Sequence, residues 1–191
     1  MRHKYATTGL VLARYGVSEA SADIVLLTDE LGLVRARAQG VRKPGAKLAS
    51  ALQTLAQSRV VLVRGKEGWR LAGAVLETSW FAKLSAPART RAGRIIGLLL
   101  RLAPGEAIDP RFYWIMRDFL RTLAEVPETL ADAAESLAAL RFLRVLGLDA
   151  GELPEADSGE GGEDTRILEA IERDRSAYIA RINRGIAASG L

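Results

Sequence analysis

Near Ser85 the spacing of apolar residues along this chain changes from every second position to every third or fourth, and one kind of element cannot satisfy both spacings. Upstream, five segments alternate as strands do: Thr7 to Arg14, Asp23 to Thr28, Leu33 to Val41, Arg59 to Arg64 and Trp69 to Thr78. The links Asp29-Glu30-Leu31-Gly32 and Gly65-Lys66-Glu67-Gly68 are short enough to fold their flanking strands into antiparallel hairpins. The longer link after the third strand carries Leu48-Ala49-Ser50-Ala51-Leu52 behind Pro44-Gly45, a composition for a turn or two of helix. Three strands, a helix and two strands in about 80 residues is the order of an OB barrel, with an SH3-like barrel as the rival.

Downstream, Ser85-Ala86-Pro87 is a helix start, with a capping serine and a proline in the first turn, and that helix is expected to run to about Ala103. Asp109-Pro110 opens a second, whose apolar stripe is Phe112, Ile115, Met116, Phe119, Leu120 and Leu123. Pro127 opens a third that ends near Gly147, with Leu130, Ala133, Leu137 and Leu140 on one face, and a last helix is expected from Asp164 to Ala187. Residues 149–164 hold seven acidic residues and four glycines and no base, which predicts a disordered loop. The expected class is α+β: a five-stranded OB-fold β-barrel over residues 1–82, followed by an all-α helical domain over residues 83–191.

Charge follows the same boundary. Residues 1–83 hold 13 Lys and Arg against 6 Asp and Glu, whereas residues 84–191 hold 14 against 17, so the basic surplus belongs to the barrel. No cysteine is present, which excludes disulfides, thiolate zinc sites and a thiol nucleophile, and the single histidine, His3, removes most remaining catalytic sets. Neither a phosphate-cradling glycine loop with its lysine nor a metal-spaced cluster occurs, so the chain reads as no enzyme. Carboxylates such as Asp29 and Glu30 read as turn residues that accept backbone hydrogen bonds. The longest apolar run, Ile95 to Leu100, is too short for a bilayer of roughly 30 Å. Met1-Arg2-His3-Lys4-Tyr5 leads straight into alternating residues, so a cytoplasmic chain is expected.

The third strand and the loop behind it carry the candidate chemistry. Alternation turns Val34, Ala36 and Ala38 toward a narrow barrel interior and Arg35, Arg37 and Gln39 outward. The loop adds Arg42, Lys43 and Lys47, and Arg14, Arg59, Arg64 and Lys66 extend the patch. Taken singly, each cation reads equally well as a strand-exterior residue that keeps sheet edges unpaired. As a cluster they read otherwise, because residues 31–66 contain no Asp or Glu at all. Such a surface suits a phosphate backbone, gripped by counterion release without sequence readout. Stacking candidates are sparse: Tyr5, Tyr15 and Trp69 each serve equally well as barrel core. An adaptor whose basic face meets an acidic protein, and an RNA-binding OB protein, are the alternatives.

These segments in this order resemble the RecO family of bacterial DNA repair and recombination mediators. The resemblance rests on Gly9-Leu10-Val11-Leu12, on Tyr15-Gly16 followed by Glu19, Ser21 and Asp23, on Thr28 to Leu33, and on Gly40-Val41-Arg42-Lys43-Pro44 with the lysine and helix up to Leu52. It covers residues 7–80; beyond them Leu140 to Leu148 resembles the helix before the family's zinc site. Many relatives carry four cysteines there, where this chain has its acidic glycine-rich segment, so no zinc is expected. What the resemblance implies is binding of single- and double-stranded DNA, annealing of complementary strands, and work with RecR to load RecA onto single strands. It also implies a contact with the acidic, Phe-terminated tail of single-stranded-DNA-binding protein. Arg117 and Arg121, four residues apart beside the second helix's apolar stripe, are candidates for the basic rim of that contact, with salt bridges to Asp118 or Glu125 as the alternative.

Overall fold

The computed structural model describes residues 3–16, 21–39, 48–103, 109–154 and 163–190, with the side chains of Glu163 and Asp164 left aside. The chain divides into two compact units, Met1–Lys83 with Gly105–Trp114, and Leu84–Pro104 with Ile115–Leu191.

In the first unit, five strands form a closed barrel: β1 (Lys4–Gly16), β2 (Ser21–Thr28), β3 (Gly32–Gln39), β4 (Ala56–Gly65) and β5 (Gly68–Ser79). Their order around the barrel is β1-β2-β3-β5-β4, with β3 and β5 parallel and the other neighbours antiparallel. This is the OB-fold barrel that the segment order predicts. The interior is filled by Val11, Ala22, Ile24, Leu26, Val34, Ala36, Ala38, Val60 and Leu62, so the alternation of β3 reaches the structure intact. A short helix, α1 (Leu48–Ala51), lies between β3 and β4 in sequence, and the adjoining Leu52 is buried in that core. Asp29 accepts from β1 and not within its own turn, from the Thr8 backbone N–H at 3.1 Å and from Thr7 Oγ1 at 2.5 Å, while Thr28 Oγ1 accepts from the Leu31 N–H in the turn at 2.9 Å. A second short helix, α2 (Trp80–Lys83), was not foreseen; Ser79 Oγ accepts from the Ala82 N–H at its start.

The second unit is built around α5. Helix α3 (Ala86–Leu102) starts as the Ser85 cap dictates, with Ser85 Oγ accepting from the Ala88 N–H at 3.3 Å. Helix α4 (Arg111–Glu125), which belongs to this unit from Ile115 onward, is opened by Asp109, whose Oδ1 accepts from the Arg111 N–H at 2.8 Å. Helix α5 (Glu128–Val145) departs from a one-faced pattern: Ala131, Ala133, Ala134, Ala138, Ala139, Leu140, Phe142 and Leu143 are all buried. Small residues distributed around it let α3, α6 and α7 pack on several sides at once. It ends at Gly147 (φ +71°), where the Leu148 N–H reaches the Leu143 carbonyl and the Gly147 N–H the Arg144 carbonyl, a Schellman closure that requires a left-handed residue. Between α3 and α5, Arg91 pairs with Asp132 at 2.7 Å and with Glu128 at 2.6 Å.

The single last helix expected is two, α6 (Glu163–Arg173) and α7 (Arg175–Ala188), broken at Asp174 (φ −109°, ψ 31°). No proline or glycine marks the break; Asp174 leaves the helix and its carbonyl starts α7. Beyond it, Arg175 meets Asp132 of α5 at 2.5 Å, and Gly185 is buried against Leu143. The acidic segment is ordered at its start. Asp149, its side chain 6% exposed, accepts twice from Arg181 of α7, which also donates to the Glu152 and Gly151 carbonyls. Of the loop expected over 149–164, Asp149–Pro154 are described and tied to α7 through Arg181, α6 begins at Glu163, and residues 155–162 lie outside the described residues. No cysteine follows α5, and among the described residues there Asp149 is already committed to Arg181, so that described set does not fit a zinc ion.

Candidate nucleic-acid interface

Arg35, Arg37 and Gln39 are exposed on the outside of β3, as alternation requires. Strand pairing then decides what stands beside them. Tyr15 of β1 is opposite Asp23 of β2, Asp23 opposite Arg37, Arg37 opposite Arg70 of β5, Arg70 opposite Val63 of β4, and Val63 opposite Lys4 of β1. Directly paired residues share a face, so Tyr15, Asp23, Arg37, Arg70, Val63 and Lys4 form one outward row. The row leaves β1 near its end and returns near its start, the stagger by which a tilted barrel closes. Because the row passes round all five strands, only Arg37 and Arg70 are direct neighbours, with Arg35 two positions from Arg37 on β3 across from Val25, while Tyr15 and Lys4 each lie two strands away on opposite sides of that pair. Tyr15 is 56% exposed and is not core. Among the described residues, no carboxylate stands within ion-pair distance of Arg35, Arg70 or Lys4.

Arg70 and Lys4 escaped the sequence reading. Arg70 was recoverable: it follows Trp69, which packs inward, and an OB barrel sets β5 beside β3. Asp23 shows what that reading lacked. Its Oδ1 accepts from Arg37 Nε at 3.3 Å, both side chains about half exposed at 44% and 53%. The acid-free window in sequence is therefore not acid-free in space.

The remaining cations are not all in this row. Arg14 is opposite Ile24, an interior residue, so it leaves β1 on the inner side of the sheet, half-buried, away from the Arg35 and Arg37 face. Arg59 is outward but in another row, between Thr8 and Val75, and pairs with Glu77 at 3.3 Å. Arg64 lies opposite Trp69 with its guanidinium 4.9 Å from the ring centroid, while Tyr5 meets the same ring edge-on at 5.3 Å. Trp69 is thus engaged by both Arg64 and Tyr5. Lys66 is exposed in the β4–β5 turn. Arg42, Lys43 and Lys47 lie outside the described residues.

In the second unit, Arg117 stands 3.2 Å and Arg121 3.9 Å from Asp118, which is the salt-bridge alternative. A narrow crevice of mixed polarity lies between α4 and α5, lined by Ile115, Phe119, Thr122, Ala134, Leu137, Ala138 and Arg141. Its cation is Arg141, one turn from Leu137 on α5, and not Arg117 or Arg121. Among the described residues there is no group of three or more metal-ligating side chains, and no helix is long and apolar enough to cross a membrane.

Residues 1–78 match the family model described as Recombination protein O N terminal. The chain is 34% identical over 128 residues to the DNA repair protein RecO of Desulforudis audaxviator, covering 64% of this chain and 49% of that protein. It is 33% identical over 165 residues to the DNA repair protein RecO of Heliobacterium modesticaldum, covering 81% and 59%. With the DNA repair protein RecO of a Synechocystis species it shares 27% identity over 143 residues, covering 74% and 52%. The chain spans about half the length of the curated relatives it matches.

Proposed function

We propose that this chain, which belongs to the RecO family through its first 78 residues, acts in DNA repair and recombination by holding DNA on its barrel and presenting it for strand pairing. The observation that carries the reading is the outward pair Arg37 and Arg70, side by side on β3 and β5, with Arg35 next to them and Tyr15 two strands round the barrel. Neighbouring cations hold a sugar-phosphate backbone through released counterions, and one exposed tyrosine offers a single stacking platform. A grip on phosphates leaves base edges open. A complementary strand then pairs while the first is still held, which is annealing, and single- and double-stranded DNA both supply the phosphates. The chain works by binding and not by catalysis, and its task lies in the cytoplasm.

The partners in this reading are RecR, with which it helps load RecA, and the tail of single-stranded-DNA-binding protein. For that tail, Arg117 and Arg121 beside Asp118, and Arg141 of α5, are the cations on offer to its carboxylates. Pairing of complementary strands, followed by fluorescence with and without single-stranded-DNA-binding protein, tests the function. The purified chain is expected to accelerate pairing, and no acceleration in either condition refutes the reading.

A further inference from the structure

A second outward surface lies on β1, β4 and β5. Its rows are Thr8-Arg59-Val75, Ala6-Val61-Gly73 and Lys4-Val63-Arg70, with Ala72 exposed at the bulge opposite Val61. The barrel interior is already filled from the other face of the same strands, so these apolar side chains do not serve the core. An outer sheet face ordinarily carries polar residues, yet here the centre is Ala6, Val61, Val63, Ala72 and Val75, with Val75 68% exposed. Lys4 and Arg70 border it at one end, and Arg59 with its partner Glu77 at the other.

The kinds of occupant differ in what they would need. A nucleic-acid strand, to which the proposed function already gives the border residue Arg70, would need stacking rings or a line of cations across the rest of the face. The rows Thr8-Arg59-Val75 and Ala6-Val61-Gly73 hold no aromatic residue and one cation, Arg59, which Glu77 engages. A second copy would bring together two faces that each carry Lys4, Arg70 and Arg59 against Glu77 alone, a surplus of two positive charges on either side. We infer that the β1–β4–β5 face is a docking surface for an acidic protein segment, one that lays aliphatic side chains on Val61, Val63, Ala72 and Val75 and meets Lys4 and Arg70 with carboxylates.

The full chain, carrying a photoreactive benzophenone side chain in place of Val75, is irradiated in cells of its source organism, and the crosslinked contact peptide is sequenced by mass spectrometry. The expected product is one protein whose contact peptide alternates aliphatic residues with Asp or Glu. The purified partner should then bind the unmodified chain, losing at least about tenfold in affinity to the uncharged double substitution Ala72→Asn with Val75→Asn. The milder Val75→Thr, which keeps strand geometry, should weaken binding less, and neither variant should change affinity for DNA. Crosslinks to nucleic acid, to a second copy or to a basic peptide, or no crosslink at all, overturn the inference. So does a partner whose affinity ignores both variants. A failure here with DNA binding intact leaves the DNA-holding row untouched.

Discussion

Asp23 is the one carboxylate in the proposed DNA row, and removing it should strengthen binding. It is opposite Arg37 in the strand register and accepts from Arg37 Nε at 3.3 Å, so a phosphate approaching Arg37 must displace one anion and tolerate another. Two unit charges about 4 Å apart in water interact by about 1 kcal/mol, which sets the gain from Asp23→Asn at up to about fivefold in affinity at low salt. Freeing Arg37 also adds up to one phosphate contact, so the log-log salt slope for single strands should steepen by up to about 0.7. The pair is exposed, worth about 0–1 kcal/mol to folding, so stability should barely move. The assay is fluorescence anisotropy with a labelled oligothymidylate across about 50 to 200 mM salt. Arg37→Ala should cost more in the Asp23→Asn background than in the unmodified chain, and the double-mutant cycle reads that difference directly. An Asp23→Asn variant that binds no tighter and shows the same slope refutes the assignment of this row to DNA.

Arg35→Ala combined with Arg70→Ala should flatten the single-strand slope by about 1.4, while Arg59→Ala, already engaged by Glu77 in another row, should leave it within error in the same titration. Arg181→Ala leaves the Asp149 carboxylate, 6% exposed, without its guanidinium, and should lower unfolding free energy in urea by about 2–4 kcal/mol. Because Arg181 holds the Asp149 carboxyl below its usual range, that stabilisation is complete above the unfolded value near about 4 and is lost as the pH falls through the lower folded value. The stability gap between the unmodified chain and Asp149→Asn should therefore close in acid, and a gap that widens there contradicts the clamp. Gly185→Ala would put a Cβ 2.9 Å from Leu143 Cδ1 and 3.2 Å from the Leu148 carbonyl oxygen, and should lower the same unfolding free energy by about 1–3 kcal/mol.

Local pattern was enough for the elements whose causes are local. The inward Val34, Ala36 and Ala38 of β3 and the caps at Ser85, Asp109 and Gly147 depend on residues within a few positions, and each stands where the sequence puts it. The break between α6 and α7 has no such local mark. Arg175 and Arg181 beyond it bind Asp132 and Asp149, in or just after α5, and these pairings are distant in sequence. The hold on Asp149 was hidden for the same reason, since composition alone does not show that a helix further on carries an arginine aimed at the acidic segment's first carboxylate.

Electrostatic reading of a barrel strand suffers most from this, because a strand's neighbours are other strands. Residues 31–66 look unopposed along the chain, yet Arg37 meets Asp23 from β2 and Arg59 meets Glu77 from β5, both outside that window. The same pairing brings in Arg70 beside Arg37, which restores positive charge that those acids diminish. Charge on a barrel face is therefore counted across the register and not along the sequence. Counted that way, the surface contracts from a broad basic patch to Arg37 and Arg70 side by side with Arg35 next to them, and Asp23 becomes the residue whose removal discriminates best.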